Sequence, residues 1–167
     1  RIDVGPLAPT EAEAVARAAT AGDPRFDPDD VDDLIARGVT NPLFLLELAR
    51  SGIERGAATP DSIETVVTAR IDTLTSADRL LLREASVLGS VIDTHLLAEA
   101  LGDRGLRGPE RWTRLSGFLS PVNSNVFNFQ QGLYREVAYE GLSFKRRREL
   151  HAQVGQAFER RAGEDWA

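Results

Sequence analysis

Near its end the chain alternates apolar and polar positions for a few residues and then changes period. Phe127 and Phe129 fall on one side of a short half-buried strand, after which Leu133, Val137, Ala138 and Leu142 recur at helical spacing. A strand running into an amphipathic helix puts Gln130 and Gln131 at the junction, where a side chain can reach out of the fold. Everything upstream reads as helical.

Thr10 with Glu13 three positions on has the form of a capping box, and Ala12, Val15, Ala16 and Ala19 give the following helix one apolar side. Asp29 to Arg37 predicts a second, short helix with Val31, Leu34 and Ile35 apolar. Asn41 as N-cap and Pro42 at the first helical position open a third. Its Leu43, Phe44, Leu46 and Leu48 are apolar nearly all round, so a buried central helix is expected, within a small helical bundle over the first 56 residues. Thr59-Pro60-Asp61 repeats the cap-then-proline order before a fourth helix striped by Ile63, Val66, Val67, Ile71 and Leu74. Thr75 with Asp78 starts a fifth, with Leu81, Leu82, Ala85 and Leu88 inward and Gly89 closing it. Asp93 caps a sixth through Leu96, Leu97, Ala100 and Leu101, and Pro109 opens a seventh carrying Trp112, Leu115, Phe118 and Leu119. Ser120 to Val122, a turn at Asn123-Ser124-Asn125 and Val126 to Phe129 predict one short β-hairpin. A last helix runs from Ser143, with Leu150, Val154, Ala157 and Phe158 on its apolar side. The expected fold is therefore mainly α: a small helical bundle followed by a winged-helix domain with one short β-hairpin.

Composition narrows the function classes. The 42% hydrophobic and 28% charged fractions are those of an ordinary soluble globular protein. No apolar run approaches the length that spans a bilayer, and no charged-then-apolar leader opens the sequence. With no cysteine, disulfides and thiolate metal sites are excluded, and a cytoplasmic location is expected. The absence of methionine and the opening Arg1-Ile2-Asp3-Val4, which resembles the tail of a strand, lead to the expectation of a piece of a longer protein. The net charge of −6 is uneven: residues 1–78 hold 15 acids and 7 bases, whereas residues 79–167 hold 11 acids and 13 bases. So acidic a first half disfavours a chain that wraps nucleic acid.

Catalytic chemistry has no foothold in the pattern. His95 and His151 are the only histidines and are far apart, without the spacing of a zinc site or a nucleophile's base. Asp29, Asp30, Asp32 and Asp33 sit where a helix dipole favours acids and lack the alternation and central glycine of a calcium loop. Gly102 to Gly108 is glycine-rich but is followed by no Gly-Lys-Ser/Thr. No catalytic or metal-binding residue is therefore expected. Arg111 and Arg114 lie on the helix that a winged fold would present to DNA, but the hairpin turn carries no positive charge, so DNA binding is disfavoured. Lys145-Arg146-Arg147-Arg148 is the only basic cluster, in the first turn of a helix where the dipole disfavours cations. Such a cluster either pairs with acids on a neighbouring domain or forms a solvated face.

Three stretches together resemble the STAND-type AAA+ ATPases of bacterial regulators, including those linked to nucleotide cyclases or to LuxR-type DNA-binding domains. These stretches are Asp3-Val4-Gly5-Pro6-Leu7, Thr40 through Leu48 with its Asn-Pro-Leu core, and Phe129 through Tyr139 into Arg146-Arg147-Arg148-Glu149-Leu150-His151. The resemblance implies that residues 1–7 end an ATPase core, 8–56 form the helical lid, 59–162 the winged helix with its C-terminal helices, and 163–167 the start of a next unit. It implies that Thr40, Asn41 and Pro42 lie near a nucleotide and that Gln131 and Arg135 are switch or sensor positions. ATP or ADP would be held mostly by an upstream P-loop core, with none tightly bound to this piece alone. The partners implied are that core and a downstream repeat or output domain in the same chain, and apolar surface exposed without the core would favour a homodimer. Thr40 stands where the family usually has glycine, and Gln131 where it often has histidine. Glutamine cannot supply the charge of a protonated imidazole. Two alternatives stay open: a DNA-binding regulator module, and an interaction scaffold that has lost nucleotide contact.

Overall fold

A computed structural model of the chain describes residues 8–20, 41–51, 62–102, 105–106 and 108–164. The second helix expected at Asp29 to Arg37, the caps at Thr59 to Asp61 and the residues 1–7 lie outside them. The protein is mainly helical, with one small three-stranded antiparallel sheet. It divides into two compact units, residues 1–70 and 71–167.

In the first unit, α1 (Pro9–Thr20) packs on α2 (Pro42–Ser51), and α3 (Ile63–Asp72) begins. The first helix starts at Pro9, upstream of its Thr10–Glu13 signal. The Ala8 N–H donates to the Glu11 carboxylate at 2.9 Å, while Glu13 instead pairs with Arg17. Pro9 takes the first helical position and so moves the start upstream. On α2 the Asn41 cap forms as expected, its Oδ1 accepting from the Phe44 N–H at 3.1 Å. Burial of α2 is less uniform than its composition suggests: Leu43, Phe44 and Leu46 are half-buried, whereas Leu48 and the acid Glu47 are fully covered. A 2.7 Å ion pair from Arg70 compensates the Glu47 charge. On α3 the hydroxyl of Ser62 accepts from the Thr65 N–H, and Val66 and Val67 face the core.

The second unit runs from the end of α3 through α4 (Ser76–Ala85), a 3-10 turn at Ser86–Leu88, β1 (Val91–Asp93) and α5 (Thr94–Leu101). It continues with α6 (Pro109–Thr113), β2 (Leu119–Pro121), β3 (Val126–Phe129), α7 (Gly132–Glu140) and α8 (Phe144–Glu164). The caps at Thr75 and Asp93 form as the spacing predicts: Thr75 Oγ1 accepts from the Asp78 N–H, and the Asp93 carboxylate accepts from the His95 and Leu96 N–H groups. Gly102 closes α5 in the left-handed region at φ 75°, a conformation that favours glycine.

Two elements of the second unit differ from expectation. The hairpin gains a third strand: the residues before the Asp93 cap form β1, and the sheet order is β1-β3-β2, with Ile92 opposite Phe127 and Ser120 opposite Asn128. The seventh predicted helix is also short, ending at Thr113. Beyond it, Leu115 N–H bonds to Trp112 O, Ser116 N–H to Thr113 O and Phe118 N–H to Leu115 O, three residues back rather than four. This tighter winding aligns positions spaced by three, so Trp112, Leu115 and Phe118 are all buried together. Trp112 stacks on Phe127 with ring centroids 5.5 Å apart, and Tyr134 meets Phe118 edge-on at 5.5 Å, so the core joins the sheet to α6 and α7.

Candidate functional site

The strand-to-helix junction separates the two glutamines. Gln130 is consumed by the fold: its Nε2 donates to the carbonyls of Ser116 at 2.8 Å and Leu119 at 3.2 Å, and its backbone N–H donates to Phe118 O. Gln131 is exposed at the N-cap position of α7, and its side chain makes no capping bond. Arg135, one turn on, points inward. Its Nε donates to the Ser86 carbonyl at 3.2 Å, and its guanidinium lies 5.6 Å from the Tyr139 ring centroid. The junction thus presents a neutral amide outward and keeps its cation for the end of α4. In the first unit Asn41 is exposed with its Oδ1 in the cap, Pro42 follows at the start of α2, and Thr40 lies outside the described residues.

The basic run resolves into two inward and two outward side chains. Arg146 forms a close ion pair with Glu84 of α4, whose carboxylate is buried, and reaches Glu149 at 3.4 Å. Arg147 donates to the carbonyls of Leu142 and Glu140, each at 3.0 Å, and stacks over Tyr139 at 4.6 Å. These carbonyls close the C-terminus of α7, so cations that look misplaced at the start of α8 lie at the favourable end of the preceding helix. Of the two sequence expectations, acids on a neighbouring domain or a solvated face, these two side chains follow neither, because their partners lie within the same unit. Lys145 and Arg148 remain exposed.

Two further charge clusters hold the second unit together. Arg114 donates to Asp78 from both Nε and Nη2, at 2.9–3.3 Å, and Thr75 adds a hydroxyl donor at 3.0 Å. Hydrogen bonding by Arg114 holds the Asp78 carboxyl below its ordinary value of 3.8, against the opposing effect of burial. Arg161 bridges Asp93 at 3.0 Å and Glu99 at 3.2 Å, and Arg160 joins Glu99 at 2.9 Å. Burial alone would raise the Asp93 pKa. The Leu96 N–H, Arg161 and the His95 N–H together outweigh it, and the net shift is downward. Beside Asp93 and Arg161 an open groove of about 470 Å³ is lined chiefly by Val87, Val91, Leu96, Val154 and Phe158.

A depressed carboxyl pKa means that the folded state binds fewer protons than the unfolded one. Its stabilisation is complete above the unfolded value and is lost as pH falls through the lowered folded value. The urea midpoint is therefore expected to drop as pH falls below about 4, and Asp78→Asn is expected to be less stable than wild type at pH 7 but to show a shallower acid slope. Parallel slopes for the two proteins would remove Asp78 from the acid response.

Among the described residues no group of three or more histidine, cysteine or acidic side chains could hold a metal ion. His151 Nε2 is 3.0 Å from the Tyr139 hydroxyl, in a helix-to-helix contact. No described helix is long and apolar enough to cross a membrane. The Asp78–Arg114 and Glu84–Arg146 pairs were not read from sequence. The signal for Asp78 is absorbed by its capping role, and four cations at a helix start stand out against the dipole without showing which of them turn inward. Comparison with protein-family models, curated proteins and solved structures gives no match.

Proposed function

We propose that this chain is the lid and winged-helix part of a bacterial STAND-type signalling ATPase, and that it works as a nucleotide-dependent conformational switch rather than as a catalyst. The observation that carries the reading is the order of the second unit: helix, strand, helix, helix and two strands, closed into a three-stranded sheet, the order of a winged helix. Asn41, exposed just before α2, and Gln131 at an outward junction are compatible with contact to a neighbouring nucleotide-bearing core. On this reading ATP or ADP is bound mainly by an upstream P-loop core, in the cytoplasm, and the differential affinity of lid and winged helix for the two nucleotide states shifts the balance of closed and open forms. A near-complete swing needs about 5.5 kcal/mol of such difference.

DNA binding has less support. Arg114 of the presenting segment is forked onto Asp78, and the turn from Asn123 to Asn125 is uncharged. The test is calorimetric titration of ADP and ATP into the full-length gene product. Micromolar or tighter ADP binding is expected, absent from residues 1–167 alone, weakened at least threefold by Pro42→Ala and tightened by Gln131→His. No nucleotide binding by the full-length product would overturn the switch and leave the scaffold reading.

A further inference from the structure

The outward face of α8 is a stripe of exposed positions. Lys145, Arg148, Ala152, Gly155 and Glu159 are spaced by three, four, three and four residues, the spacing of a coiled-coil seam, and all five are exposed. The inward face is occupied by the fully buried Leu150 and Ala157. Phe144, 80% exposed, stands at the start of the outward face.

The charges on this face oppose the helix's own dipole. Two cations sit near the N-terminal end and one acid toward the C-terminal end, the reverse of the favourable arrangement. Neither Arg148 nor Glu159 has an ionic partner among the described residues, and Lys145 is 4.0 Å from Glu149 with 89% of its side chain exposed. Gly155 lies mid-helix, where glycine is the weakest helix former after proline, and a Cβ there would meet nothing. The i,i+4 pair with Glu149 gives Lys145 a local role, but local stability does not explain Arg148, Glu159 or Gly155.

We propose that this face is the interface of an antiparallel homodimer, with α8 of a second copy of the chain as its occupant. A two-fold axis through Ala152 is seven residues from both Lys145 and Glu159, so each Lys145 meets the partner copy's glutamate and each Glu159 the partner copy's lysine. The self-complementarity exists only in antiparallel register, because a parallel pair sets lysine against lysine. In the antiparallel pair the cations lie beside the carbonyl end of the other helix and the acid beside its N–H end, which turns the unfavourable dipole contacts into favourable ones. Ala152 and Gly155 at the crossing let the backbones approach closely. Lys145 to Glu159 spans about 21 Å along the helix, and a two-fold contact over that length is isologous. This inference does not depend on nucleotide binding.

Sedimentation of the 167-residue chain over rising concentration tests it. Wild type is expected to self-associate reversibly, more weakly as salt is raised. Lys145→Glu and Glu159→Lys, each with an unchanged helical signal, are each expected to weaken association about tenfold or more. The equimolar mixture of the two variants, and the double variant alone, are expected to regain wild-type association. Residues 145 and 159 are too far apart on one helix to touch, so that rescue can only be intermolecular. A chain that stays monomeric near 1 mM, single variants that associate like wild type, or a mixture that fails to recover would each overturn the proposal. Association lost by none of these changes but abolished by an acidic peptide would assign the face to a different partner.

Discussion

Trp112→Ala is expected to destabilise the second unit by about 4 kcal/mol, the range for removing a large buried aromatic side chain. Trp112 is 1% exposed, stacks on Phe127 of β3, and donates its indole N–H to the Leu106 carbonyl at 2.7 Å. Alanine would therefore leave a cavity between α6 and the sheet and also an unpaired buried carbonyl. Domains are stable by about 5–15 kcal/mol in all, so the loss consumes much of the margin. It should lower the melting temperature by roughly 15 °C or more for a unit of this size. Trp112→Phe keeps most of the stack and loses the N–H, and is expected to cost about 2 kcal/mol. Urea unfolding followed by circular dichroism measures both. A cost below about 1 kcal/mol for the alanine variant would mean that the stack is not a central packing element.

The second large effect is expected at the α4–α8 contact. Glu84 is 1% exposed and Arg146 pairs with it, while a third of the Arg146 side chain remains open to solvent. Hydrogen bonding to Glu84 raises the Arg146 pKa further above its ordinary value, although burial opposes the shift. Arg146→Ala removes this counter-charge from the buried carboxylate. Removing one partner of a fully buried pair costs about 3–5 kcal/mol, and the partial exposure of Arg146 lowers the expected loss to about 2–3 kcal/mol. The double variant Glu84→Leu/Arg146→Leu is expected within about 1 kcal/mol of wild type, because two apolar side chains avoid both desolvation penalties. A double variant as unstable as the single one would show that the pair contributes more than the neutralisation of a buried charge. The comparison separates what Arg146 does for Glu84 from what the pair does for the fold.

The starts of α2, α4 and α5 were legible in the sequence because their signals are local. Asn41 before Pro42, Thr75 before Asp78 and Asp93 before α5 each place a side-chain oxygen within three residues of the N–H it accepts, and no distant part of the chain can change that. The hairpin was legible for the same reason: Phe127 and Phe129 alternate, and a turn of Asn and Ser precedes them. At Pro9 two local signals competed, and proline's fit to the first helical position prevailed over the Thr10–Glu13 spacing.

What only the tertiary structure decided depends on residues far apart in sequence. Val91 to Asp93 carry too short a pattern to mark a strand, and they become one because β3, beginning at Val126, offers them a ladder. Asp78 meets Arg114, and Glu84 meets Arg146, across 36 and 62 positions, separations over which sequence pattern carries no information about pairing. The candidate site divides in the same way. The exposed junction at Gln131 followed from the change of hydrophobic period, but the inward turn of Arg135 to the Ser86 carbonyl required the end of α4 to be beside α7. The sequence by itself determined where helices and the hairpin begin, through caps and periodicity that act within a turn. The tertiary structure decided which charges are neutralised and which remain outward on α8, because burial of a charge is set by the element packed against it.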